Sequence, residues 1–159
     1  MTRSHARGPR GKRVVCKNPA GHWKVLSTIA AMTVRGMIRC GIFEGATDTD
    51  AFTTFLREGL LPAMKPGQVL VLDNLSVHQT QSARRLIEAA GVRVLYLPAY
   101  SPDYNPIEMA ISKVKSVLKK MSERTVDALF AAIGTALKAI THEDAAHFVR
   151  HCGYGARDG

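Results

Sequence analysis

The sequence predicts an α/β fold, and three observations carry the prediction. Two short apolar runs, Gln68 to Asp73 (QVLVLD) and Val92 to Leu97 (VRVLYL), flank a helical stretch within about thirty residues, the pattern of a strand–helix–strand unit with parallel strands. Two further β-like segments precede that unit, and amphipathic helical stripes follow it. With 159 residues and 46% apolar composition, a single domain with one packed core is expected.

Charge narrows the function classes. Lys and Arg number 22 against 13 Asp and Glu, a formal net charge of +9. Such an excess attracts polyanions, nucleic acid foremost. The first thirteen residues, MTRSHARGPRGKR, hold Arg3, Arg7, Arg10, Lys12 and Arg13 among residues that break regular structure. Residues 1–13 are expected to form a flexible basic arm that can lie against phosphates. No apolar run approaches the length of about 18 residues that a membrane span needs, so a membrane role is not expected. Cys16, Cys40 and Cys152 are odd in number and widely spaced, which gives neither a disulfide framework nor zinc spacing. His147, His151 and Cys152 lie close in sequence but lack an evident fourth ligand. A reducing, cytoplasmic setting is expected.

Along the chain, Trp23 to Met32 and Met37 to Phe43 read as strands joined by a turn at Thr33-Val34-Arg35-Gly36, a hairpin. Val14 to Lys17 reads as a further short strand. Thr47, Asp48 or Asp50 can cap a helix reaching about Leu61, with Phe52, Phe55, Leu56 and Leu60 on one face. Gln68 to Asp73 holds a continuous apolar run, Val69 to Leu72, that ends in a carboxylate, as in a strand buried on both faces. Ser76 can cap a helix from Val77 to Ala90 that stops at Gly91. Val92 to Leu97 is the second buried strand. The loop from Pro98 to Pro106 leads into a helix from Ile107 to Met121. Two more helices are expected, from Val126 to Ile140 and from His142 to His151.

Two carboxylates carry the chemical argument. Asp73 stands at the carboxyl end of a strand, where open α/β sheets bind ligands; it can equally make a turn with Asn74. Glu108 is the third helical residue after Asn105 and Pro106, so it can close a capping box on the Asn105 amide. A carboxylate in a first helical turn can also share a cation with a strand-end Asp. Lys115 and Lys119 lie on the same flank of that helix, suited either to phosphate or to an ordinary solvated face. Phosphodiester transfer asks for such acids. Two divalent ions about 4 Å apart neutralise the attacking and leaving oxygens, and carboxylates on rigid mounts hold them.

The segments VLVLDNLSVH (residues 69–78) and LPAYSPDYNPIE (residues 97–108) resemble mariner-like insertion-sequence transposases of the DDE superfamily. The resemblance extends from about Gly21 to the end. It implies a ribonuclease H-like mixed sheet with flanking helices, and a metal site of three acids. In the most similar subgroup 34 residues part the second and third acids, and 34 residues lie between Asp73 and Glu108. The resemblance implies Asp73 as second ligand and Glu108 as third, holding two Mg2+ or Mn2+ ions. It places Asn74, His78 and Asn105 beside the site, and DNA as partner, both element ends and target.

The family's first Asp lies on a first strand ahead of a segment like residues 1–13. Here that strand is expected to be missing, which would make residues 14–159 a partial catalytic domain. Glu44, Asp48 and Asp50 stand in a capping context and are poor substitutes. The resemblance therefore implies a DNA transposase catalytic domain that is truncated and inactive by itself. It would work as a homodimer or with a full-length transposase, in the cytoplasm at the nucleoid. The alternative is a non-catalytic DNA-binding or dimerisation module that modulates a full-length transposase.

Overall fold

A computed structural model describes residues 25–121 and 125–155. The basic arm with Arg3, Arg7, Arg10, Lys12 and Arg13, the expected strand at Val14 to Lys17, and Cys16 lie outside the described residues.

The hairpin forms as expected. Strands β1 (Leu26–Thr33) and β2 (Gly36–Glu44) pair antiparallel from Leu26↔Glu44 to Thr33↔Gly36. The register shifts between Ala31 and Met32, which pair with Arg39 and Met37, so Ile38 is the extra residue of a bulge. Gly36 closes the turn at φ +125, a conformation that side chains with a Cβ rarely adopt. Gly41 is required for a different reason. A Cβ there would stand 2.8 Å from the Phe43 ring and 3.0 Å from the Phe55 ring.

Helix α1 (Thr49–Thr54) starts at Asp48, whose Oδ1 accepts from the Ala51 amide at 2.8 Å. The chain then widens to a π-helical turn (Phe55–Leu60) and tightens to a 3-10 turn (Leu61–Ala63). The Arg39 Nε–H donates to the Gly59 carbonyl within the wide turn, at 3.1 Å. Phe52, Phe55, Leu56 and Leu60 are all buried, the face that their spacing predicts.

Strands β3 (Val69–Leu72) and β4 (Arg93–Tyr96) pair parallel and in register, Val69↔Arg93 to Leu72↔Tyr96. Two expectations fail here. The strands are not buried on both faces. Val69, Val71 and Leu95 are 45%, 37% and 49% exposed, while Leu70, Leu72 and Val94 pack inward. Nor does Ser76 cap a helix from Val77 to Ala90. Residues Ser76–Gln79 form a separate 3-10 turn, and Thr80 caps helix α2 (Gln81–Ala89). Thr80 has extended backbone, φ −63 and ψ 149, so a continuous helix cannot pass through it. Gly91 ends the segment at φ +67, as expected of a helix stop.

Helices α3 (Pro106–Met121), α4 (Val126–Lys138) and α5 (His142–His151) complete the described fold. Thr125 caps α4, and Thr141 forms a reciprocal capping box with Asp144 at the start of α5. Asp144 also takes the Lys113 ammonium at 2.5 Å, which ties α5 to α3. One apolar core, centred on Phe52, Phe55, Leu56 and Ile87, joins the hairpin to the parallel pair. Two smaller cores hold α3, α4 and α5 against the hairpin through Cys40, Ile42, Met32 and Met37. Among the described residues the two strand pairs form separate sheets, so side-chain packing joins them.

Candidate active site

Asp73 directly follows β3. The Leu97 amide donates to the Leu72 carbonyl at 2.8 Å, which fixes the strand end just before the acid. Asp73 Oδ1 accepts from the Leu75 amide at 3.2 Å, an Asx turn. His78 Nδ1 lies 2.6 Å from the same oxygen. The turn reading of Asp73 is therefore correct for one oxygen. Among the described residues, Oδ2 accepts no hydrogen bond.

His78 is held from several sides. Its ring lies 4.3 Å from the Phe52 ring, centroid to centroid. Its carbonyl accepts from the Tyr96 hydroxyl at 3.0 Å, and its amide donates to the Leu75 carbonyl at 3.0 Å. The Arg84 guanidinium sits 5.5 Å from the centre of the Tyr96 ring, a cation–π distance. Asn74 is held by Gln79, whose amide donates to the Asn74 side-chain oxygen and, at 3.3 Å, to its carbonyl.

The facing wall is the loop before α3. Tyr100 adopts φ 56 and its side chain is fully exposed; left-handed backbone at a bulky residue costs about 1–3 kcal/mol and gathers at functional sites. Pro102–Tyr104 form a 3-10 turn. The Asn105 amide donates to the Pro102 carbonyl at 2.9 Å. That bond corrects the expected capping box. The Asn105 amide is already used, and the Glu108 carboxylate makes no hydrogen bond or ion pair among the described residues. The competing structural explanation for this acid is thereby removed. The Tyr154 hydroxyl donates to the Tyr104 carbonyl at 2.8 Å and pins the turn from the far end of the chain.

These two walls enclose one open cleft of about 430 Å3, lined among others by Asp73, Asn74, Asn105 and Glu108. At roughly 30 Å3 per water molecule, it has room for hydrated ions and a phosphate group. The structure thus brings four of the predicted site residues to one cavity, with His78 in contact with the first. Lys115 and Lys119 do not line it. They sit about 10 and 16 Å along the α3 axis from Glu108 at 1.5 Å per residue. Glu44, Asp48 and Asp50 are also away from the cleft, and Asp48 serves as a helix cap. Among the described residues no three His, Cys, Asp or Glu side chains form a group able to hold a metal ion. That includes His147, His151 and Cys152. Cys40 and Cys152 are free thiols, both pushed up in pKa by burial, Cys152 also by the Asp103 carboxylate. Sequence reasoning missed Phe52 and Tyr96, which position His78. No local spacing links them to it.

The sequence pattern of the family described as DDE superfamily endonuclease matches residues 1–129. The chain belongs to this family. No curated protein matches it. Among solved structures, the Mos1 transposase paired-end complex with left transposon end is similar over 94% of this chain and 47% of that one, with 16% identity and a TM-score of 0.77. The Mos1 strand transfer complex is similar over 94% and 46%, with 15% identity and a TM-score of 0.74. The catalytic domain of Mos1 mariner transposase is similar over 79% and 67%, with 15% identity and a TM-score of 0.63. The DDE chain described here therefore has the ribonuclease H-like fold expected of it, and it spans about half the length of the solved transposase chains it matches. No helix among the described residues is long and apolar enough to cross a membrane.

Proposed function

We propose that this DDE-family chain is the catalytic core of a mariner-like DNA transposase, with Asp73 and Glu108 as two of its metal-binding carboxylates. The observation that carries this reading is their shared cleft: it is lined by a strand-end Asp with one oxygen unused among the described residues and by a first-turn Glu that no cap among them consumes. The donor set fits a hard divalent cation. Both acids are oxygen ligands, no thiol lines the cleft, and such sites select Mg2+ or Mn2+ over softer metals. When bound, the ions supply charge neutralisation for the phosphodiester oxygens.

The chain's own residues provide the rest. The Leu72 to Leu97 hydrogen bond and the Asx turn orient Asp73. The turn at Pro102–Tyr104 sets the first residues of α3, and with them Glu108. DNA is the partner, as element ends and as target. The basic arm at Arg3, Arg7, Arg10, Lys12 and Arg13, with Lys115 and Lys119, would meet its phosphates. Solved relatives by fold include complexes with a transposon end, which supports this choice. Because the described residues bring two acids to the cleft rather than three, weak metal binding and little strand cleavage are proposed for this chain by itself. A homodimer or a full-length transposase is the proposed working assembly, at the nucleoid.

The test is cleavage of a labelled DNA duplex with Mg2+ or Mn2+, together with DNA binding across a salt series. Expected are weak cutting at most, abolished by Asp73→Asn and by Glu108→Gln, and salt-sensitive binding. Robust cutting that Asp73→Asn abolishes would show that a third ligand is supplied after all. Cutting that both variants leave intact overturns the assignment. DNA binding that survives Glu108→Gln, with no metal uptake, supports the non-catalytic DNA-binding module instead.

A further inference from the structure

The short contact between His78 and Asp73 extends the metal-site reading above and rests on it. His78 Nδ1 is fully buried without a hydrogen-bond partner among the described residues, and Asp73 Oδ1 lies 2.6 Å from it. A bare ring nitrogen and a carboxylate oxygen at that distance would set two lone pairs against each other. A proton on Nδ1 turns the contact into an attraction. Nδ1 has no completed hydrogen bond in this arrangement, so a small adjustment between the two groups is needed to form one.

The ring has little freedom to do the moving. Its side chain is 15% exposed, against 35% for Asp73. It packs on Phe52, itself 2% exposed, and its backbone is held by the Tyr96 hydroxyl and by Leu75. The rigid partner is the imidazole, and the adjustable one is the acid. Oδ1 already accepts from the Leu75 amide, so both donors converge on the same oxygen. Oδ2 is left over, on a residue that lines the cleft.

We propose that His78 is a positioning residue, whose Nδ1–H fixes Asp73 Oδ1 so that Oδ2 is the oxygen presented to a divalent cation. Groups that orient metal ligands in this way change metal affinity about 10- to 100-fold when removed.

Two measurements on the whole chain test this. The first is the imidazole 15N–1H spectrum, which reports the ring nitrogen that carries the proton. His78 should show a proton on Nδ1, and its signal should shift in Asp73→Asn. A bare Nδ1 overturns the proposal. The second is an Mn2+ titration read by paramagnetic broadening of the amide signals around Asp73. His78→Phe keeps an aromatic ring against Phe52 but removes the donor, and should weaken Mn2+ binding about tenfold. His78→Asn restores a donor near the Nδ1 position and should recover binding to within about threefold of wild type. Wild-type binding in His78→Phe overturns the positioning role alone, provided Asp73→Asn loses it. Failure of His78→Asn to rescue, in a folded protein, also overturns it. Unchanged binding in Asp73→Asn overturns the metal-site reading itself, and the positioning role with it.

Discussion

The antiparallel hairpin and the parallel pair both start from apolar-rich segments and end in different surroundings. Residues of β1 and β2 enter all three apolar cores, through Ile29, Ala31 and Ile38, through Cys40 and Ile42, and through Met32 and Met37. Residues of β3 and β4 enter only one, through Leu70, Leu72 and Val94. Their alternate positions, Val69, Val71 and Leu95, stay exposed. The hairpin is thus the part of the sheet structure that the last three helices clasp, and the parallel pair is the part that borders the candidate site. The difference teaches that an unbroken apolar run records compatibility with burial on both faces. It does not by itself say which neighbours are there to cover them.

The largest effect is expected in the core that the two pairs share. Leu56 is fully buried between them, and Leu56→Ala should cost about 2–5 kcal/mol. Urea unfolding should then show one transition at lower denaturant. Two separated transitions would show that the pairs are independent units. A second test stays within one strand. Leu70→Ala, on the packed face, should cost about 2 kcal/mol, whereas Val71→Thr on the exposed face should stay within about 0.5 kcal/mol. Equal costs would mean that the outer face is covered in solution.

Smaller effects sharpen how the site wall is set. Thr80→Ala should lower stability by about 1 kcal/mol, since Thr80 caps α2. Ser76→Ala should be nearly neutral, which thermal melts of the two variants can separate. The smallest effect lies far from the cleft. Asp144 is lowered to about 2, first by the Lys113 hydrogen bond and then by the Thr141 bonds. A depressed folded pKa means that the contribution is complete above the ordinary Asp value of about 4. It is lost as pH falls toward about 2. Lys113→Met should therefore flatten the fall in melting temperature across that window and leave the slope above pH 5 unchanged.

Much of this molecule was legible locally. Helical periodicity located α1, α3 and α4, since each shows one face to a core. Turn chemistry located the hairpin, and Gly91 marked the stop of α2. The break between the 3-10 turn at Ser76 and α2 was not legible, because Ser76 and Thr80 are both good caps and sequence alone does not rank them. The site was half legible. Asp73 and Glu108 could be named from strand-end and helix-start positions, but each had a competing structural role of similar weight.

Short-range periodicity and capping in the sequence were enough to place most of the elements and their order, and the resemblance singled out Asp73 and Glu108 as candidate ligands. Tertiary structure decided which hydrogen bonds surround the two acids. The Tyr154 hydroxyl, fifty residues away, holds the turn whose carbonyl occupies the Asn105 amide, and the Glu108 carboxylate has no partner among the described residues. Phe52 and Tyr96, from a distant helix and a neighbouring strand, fix His78 against one oxygen of Asp73. Hydrogen bonds between groups far apart in the chain leave no mark in local spacing, and only the folded arrangement chooses among the bonds that each group could make.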